Sequence, residues 1–115
     1  MAVLLNHNFT NASTYSSGPI DVSKQHELIF FGRVESATLA TNGHFQIVAN
    51  YIDANNIKQQ FWQIASWYDP YAPIPTTPFN ILGIPTVPFG DTISIDIVSD
   101  DVTNTFTGNI NVIGK

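Results

Sequence analysis

From Glu27 to Glu35 apolar and polar residues alternate with period two. Leu28, Phe30, Gly32 and Val34 share one face, and Ile29, Phe31 and Arg33 share the other, which predicts a strand. Both faces are partly apolar, as in a strand covered on both sides or lying at an interface. Thr41-Asn42-Gly43 then supplies a turn, because Asn and Gly accept positive φ at little cost. His44 to Ile52 is the next strand, with Phe45, Ile47, Ala49 and Tyr51 facing one way. Asp53-Ala54-Asn55-Asn56 turns the chain again. In residues 57–68 the period is ambiguous: Ile57, Phe61, Ile64 and Tyr68 also fit a helical stripe. The neighbouring strands and the aromatic content favour a strand. Residues 69–88 hold Pro70, Pro73, Pro75, Pro78, Pro85 and Pro88, which predicts an extended loop with brief edge pairing around Phe79 to Leu82. Gly90-Asp91 opens a strand with Ile93, Ile95 and Ile97 inward and Thr92, Ser94 and Asp96 outward. After the turn at Asp100 to Asn104, Phe106, Gly108, Ile110 and Val112 form the last inward face.

About six to eight short strands separated by turn residues predict an all-β, single-domain antiparallel sandwich or jelly roll. Residues 20–115 form that domain. Residues 1–19 begin with a short apolar patch and continue in Asn, Thr and Ser to Gly18-Pro19. They are an N-terminal arm, loosely packed or docked on another subunit, or else an edge strand.

Composition sharpens this picture. The chain has 115 residues, the size of one domain. Only 11% are charged, against roughly a quarter in ordinary globular proteins. The net charge is −5, and Lys24, Arg33, Lys58 and Lys115 are scattered. No basic stripe exists to track phosphates, so nucleic acid is not an expected partner, nor is a membrane. Cysteine is absent, which excludes disulfides and thiolate metal sites. The segment Met1 to Asn6 lacks a basic start and a long apolar run, so synthesis in the cytoplasm without a signal peptide is expected. The expected place of action is outside the cell or on a particle surface.

Catalytic motifs are missing. There is no G-x-S-x-G, no H-E-x-x-H and no phosphate-cradling glycine loop, and His7, His26 and His44 fall on separate elements. A non-enzymatic protein is expected. The richest chemistry is the aromatic run of Phe61, Trp62, Trp67, Tyr68, Tyr71 and Phe79. Strict alternation would send Phe61 and Trp67 to one face and Trp62 and Tyr68 to the other. One face fills the core, and the other leaves large rings for a ligand or a partner. Exposed rings beside carboxylates and amides suit sugars, whose C–H faces stack on aromatics while their hydroxyls take hydrogen bonds. Trp62, Trp67, Tyr68, Asp69 and Tyr71 are therefore the candidate ligand-binding residues. Equally, Trp and Tyr anchor cores and subunit interfaces. A second candidate lies at the last turn, where Asp100, Asp101, Asn104, Thr105 and Asn109 offer the hard oxygen ligands that calcium prefers. An Asx-stabilised turn would use the same residues.

The stretch from Gly90 to Lys115 carries Asp101-Val102, Thr105-Phe106 and a closing Ile113-Gly114-Lys115. In this pattern it resembles the C-terminal hairpin of the PA-I-type calcium-dependent bacterial galactose lectins. The resemblance covers less than a quarter of the chain. It implies a sugar-binding sandwich with calcium held by Asp101, Thr105 and a following Asn pair. That pair is missing, and Gly108-Asn109 stands nearby, so Asp101, Thr105 and Asn109 are the implied metal set. Two readings follow. One is a lectin-like, homo-oligomeric carbohydrate-binding protein whose partners are glycans and itself. The other is a self-assembling structural subunit of a fibre, appendage, capsid or phage tail, with its N-terminal arm docked on a neighbour.

Overall fold

Two antiparallel sheets lie face to face. The computed structural model describes residues 1–115, the side chain of Ile84 excepted. The strands are β1 (Ala2–Ala12), β2 (Tyr15–Ser16), β3 (Ile20–Asp21), β4 (Leu28–Thr38), β5 (His44–Ile52), β6 (Lys58–Tyr68), β7 (Phe79–Thr86), β8 (Thr92–Ser99) and β9 (Thr105–Gly114). The first sheet has the order β1-β9-β4-β7 and the second β2-β8-β5-β6, with β3 also on β8. β2 pairs with Ile97 and Asp96, and β3 with Ile93 and Thr92, so the two are pieces of one edge strand broken around Gly18-Pro19. Counted that way, each sheet has four strands. Every connection but the β5–β6 hairpin crosses between sheets, which is jelly-roll connectivity.

Alternation does the sorting. β9 switches between half-buried and buried at every residue, with Phe106, Gly108, Ile110 and Val112 inward. Phe30, Phe106 and Val112 of the first sheet meet Phe45, Ile47 and Ile95 of the second in one core cluster. Each such side chain contributes about 1.5–3 kcal/mol when fully buried. Gly32 lies at an inward position of β4 where a methyl would collide with the Asn109 carbonyl, so that position admits no side chain. The turn before β5 has Asn42 at φ 57° and closes with Gly43 N donating to Ala40 O at 2.8 Å.

One region departs from the sequence expectations, and in another the structure takes one of the stated alternatives. The proline-rich segment yields a full strand, β7, rather than brief pairing. It lies at the edge of the first sheet, where one side needs no partner, and Pro85 is accommodated opposite Ile29. Within residues 1–19, β1 is an edge strand of the chain's own sheet, paired with β9 from Ala2 to Ala12. Leu5, His7 and Phe9 stand opposite the inward residues Val112, Ile110 and Gly108. Residues 58–68 are strand and not helix. No helix in the described residues is long and apolar enough to cross a membrane.

Candidate functional site

β6 places its aromatic rings differently from strict alternation. Its register against β5 slips twice, between the Ile47–Ala65 and Val48–Gln63 pairs and again between Ala49–Trp62 and Asn50–Gln60. Each extra residue is a bulge, and a bulge inverts the alternation beyond it. Trp62, opposite Ala49, and Trp67, opposite Phe45, therefore both face the core, which corrects the expectation that they part company. Trp67 is 7% exposed and stacks on Phe45 at 5.8 Å. Trp62 is half-buried with its ring 4.6 Å from Phe30. Neither offers a free ring to the outside of the second sheet.

Tyr68 and Tyr71 do. Tyr68 ends β6 on the outer face, 37% exposed, and Tyr71 is 84% exposed. Their rings lie 5.6 Å apart, tilted by 37°. A tight loop presents Tyr71: Tyr68 N donates to Ala72 O at 2.8 Å, and Ala72 N returns a bond to Tyr68 O at 2.6 Å. Asp69 fastens this loop to the β4–β5 turn. Its Oδ2 accepts from Asn42 N at 3.1 Å, and its N donates to Gly43 O at 3.0 Å.

Across the strand pair, His44 stands opposite Tyr68 with the rings 5.1 Å apart, edge to face. The Ser66 hydroxyl lies 3.0 Å from His44 Nε2, and Gln46 Nε2 lies 2.8 Å from the same atom. Asp100 Oδ1 anchors the start of β5 by accepting from His44 N at 2.9 Å. Behind it the buried Asn104 ties three segments together: its Oδ1 accepts from Ala40 N at 2.7 Å, and its Nδ2 donates to Ser99 Oγ and Asp100 Oδ1. The tyrosine pair thus stands on a braced rim beside an imidazole, an amide, a hydroxyl and two carboxylates.

The calcium candidates do not gather. Asp101 Oδ1 accepts from Thr103 N at 2.8 Å and Thr103 Oγ1 at 2.7 Å, an Asx turn that holds its carboxyl below the ordinary value. Thr105 begins β9 opposite Thr38, and Asn109 follows four residues along the same strand, about 13 Å away at a strand's rise. Asn109 Oδ1 accepts from Asn111 Nδ2 at 3.0 Å. Among the described residues, no three His, Cys, Asp or Glu side chains come together as ligands.

A second polar cluster on the same outer face escapes sequence reasoning. Asp96 Oδ2 accepts from Asn50 Nδ2 at 2.5 Å and Ser94 Oγ at 2.6 Å. Lys58 Nζ donates to Asp96 Oδ1 at 2.8 Å and to Ser16 Oγ at 3.1 Å. Burial pushes the Asp96 carboxyl up, but the bonds from Lys58, Ser94, Ser16 and Asn50 outweigh it and hold the value below 3.8. Asn50, Ser94 and Asp96 are all buried. At the far end of β5 a groove of about 330 Å³ is lined by Tyr51, Asp53, Gly90 and Asp91. Asp53 is committed there to its own turn, accepting from Asn55 N, Ile57 N and Gln59 Nε2. The chain matches no family model, no curated protein and no solved structure.

Proposed function

We propose that the chain is a non-enzymatic carbohydrate-binding protein that takes a neutral hexose on the Tyr68–Tyr71 platform. The observation that carries this reading is the pair of exposed rings 5.6 Å apart, braced from below and bordered by hydrogen-bonding groups. A pyranose stacks its C–H face on Tyr71, which is the more open ring. Its hydroxyls reach for the edge formed by His44, Gln46, Ser66 and Asp69, which together donate and accept. The charged groups in these contacts are carboxylates, Asp69 and Asp100, with no lysine or arginine among them. Sialylated and sulfated sugars are disfavoured on that ground, because like charges repel.

The test is a glycan array followed by calorimetry on the wild type, Tyr71→Ala and Trp62→Ala, with and without a chelator. The reading expects neutral hexosides to bind, Tyr71→Ala to lose at least about tenfold in affinity, near 1.4 kcal/mol, and Trp62→Ala to bind while folded. Binding is expected to survive the chelator, because Asp101, Thr105 and Asn109 point to no common centre. An array blank for neutral sugars, or a Tyr71→Ala protein that binds like the wild type, ends the proposal.

A further inference from the structure

Among the described residues, no part of the chain forms a layer over the outer face of the first sheet. One complete row across it is apolar: Val3 pairs with Ile113, Ile113 with Ile29, and Ile29 with Pro85. Val3 is 71% exposed, Leu82 beside the β7 bulge is 77% exposed, and Phe31 of the next row is 37% exposed. Beyond that row the face is amide. Asn6 pairs with Asn111, and Asn8, Asn109, Arg33 and Asn80 form a second complete row. Arg33 is the cation in these rows, and it is bonded to Glu35.

The edges of both sheets are unsuited to pairing with another chain. β1 is irregular between Val3 and Leu5 and again between Phe9 and Ala12. β6 carries two bulges, β7 carries one bulge and Pro85, and the β2–β3 edge is broken. Short, bulged or proline-bearing edges are how sheets avoid edge-to-edge association. A partner of the first sheet must therefore meet its face.

We infer that two copies of the chain pack through the outer faces of their first sheets, with the Val3–Ile113–Ile29–Pro85 rows apposed and the asparagine rows flanking them. Charge selects a second copy as the occupant. The chain carries −5, yet the charged side chains on and bordering this face are paired, Arg33 with Glu35 and Lys115 with Glu27, so two copies meet there with little net charge to oppose. Asparagine amides donate and accept at once, so an amide row is complementary to its own two-fold image. Area sets the strength. Four strands of this length span about 550 Å² per copy, or about 1,100 Å² for a pair. That sits just above the roughly 1,000 Å² a specific interface must clear. The dimer is reversible and depends on concentration. It places the two Tyr68–Tyr71 rims on opposite outer surfaces, although the interface does not rest on the sugar reading.

Sedimentation across about 1 to 200 µM, the range that resolves a reversible micromolar dimer, tests it. The wild type is expected to move from the 12.7 kDa chain mass towards twice that value. Val3→Glu and Leu82→Glu, both at exposed positions, are expected to raise the dissociation constant at least about tenfold while leaving the circular dichroism unchanged. Val102→Glu, an 84% exposed position in the β8–β9 turn, is the control and is expected to dimerise like the wild type. A wild type at chain mass throughout overturns the inference and leaves the face bare or bound by a different protein. A Val102→Glu defect equal to that of Val3→Glu also overturns it, by placing the interface elsewhere.

Discussion

The two outer faces come from the same alternating pattern and end in different states. On the second sheet, the outward residues Asn50, Ser94 and Asp96 are buried, and Lys58 reaches over to Asp96 and Ser16. On the first sheet, the outward asparagines and the Val3–Ile113–Ile29–Pro85 row stay at least partly open. The difference teaches that facing outward is not the same as being solvated. One long side chain laid across a sheet turns a polar row into an internal network. The first face lacks such a cover and is left to be met by another molecule.

Removing the support beneath the tyrosine rim sharpens the contrast most. Trp67→Ala takes away a 7% exposed ring packed on Phe45 and Phe79 and is expected to cost about 4 kcal/mol in urea unfolding. The rim itself lies outside, so sugar binding per folded molecule is expected to persist. Binding lost in a still-folded variant would mean that the site reaches into the core.

Asp96→Ala strikes the covered face. It leaves Asn50 and Ser94 buried without their acceptor and Lys58 without its counter-ion, at an expected cost of about 3 kcal/mol. Its pH signature is distinct. The folded-state pKa lies below the ordinary 3.8, so Asp96 stabilises the fold fully above that value, and the contribution fades as pH falls through the lower folded pKa. The stability lost by Asp96→Ala, measured at pH 7 and again towards pH 2, is expected to shrink. A difference that stays constant with pH would show that the charge contributes nothing and that the network acts through packing alone.

Much of this arrangement is legible in the sequence, and the rest fails for identifiable reasons. β4, β8 and β9 read directly because their period of two is unbroken around Phe30, Ile95 and Ile110. β1 does not, because Asn6, Asn8, Thr10 and Asn11 dilute its apolar pattern and its register slips at Leu4. The expected parting of Trp62 and Trp67 fails because the bulges in β6 leave no local mark. The grouping of Tyr68, Asp69 and Tyr71 is legible because they lie within four residues of one another. His44, Gln46 and Ser66 join them only through the β5–β6 register, and Lys58 reaches Asp96 across β5 between β6 and β8. Such long-range pairings are not written in any short window. The calcium set suggested by the last hairpin is spread out for a related reason, since Thr105 and Asn109 lie along one strand instead of closing one loop.

The smallest effect separates the faces most finely. Ser94→Ala removes one buried donor from the Asp96 network and is expected to cost about 1–2 kcal/mol. Asn109→Ala removes an acceptor of equal standing from the open face, where it bonds Asn111, and water replaces it. Its expected cost is within about 0.5 kcal/mol when unfolding is followed at a concentration where sedimentation finds the single chain. Repeated at high concentration, the same substitution is expected to cost more, because the amide row then faces its image in the second copy and dimerisation adds to apparent stability. A large cost already present in the dilute monomer would erase the distinction between the faces. A cost indifferent to concentration would leave the asparagine row with no part in association.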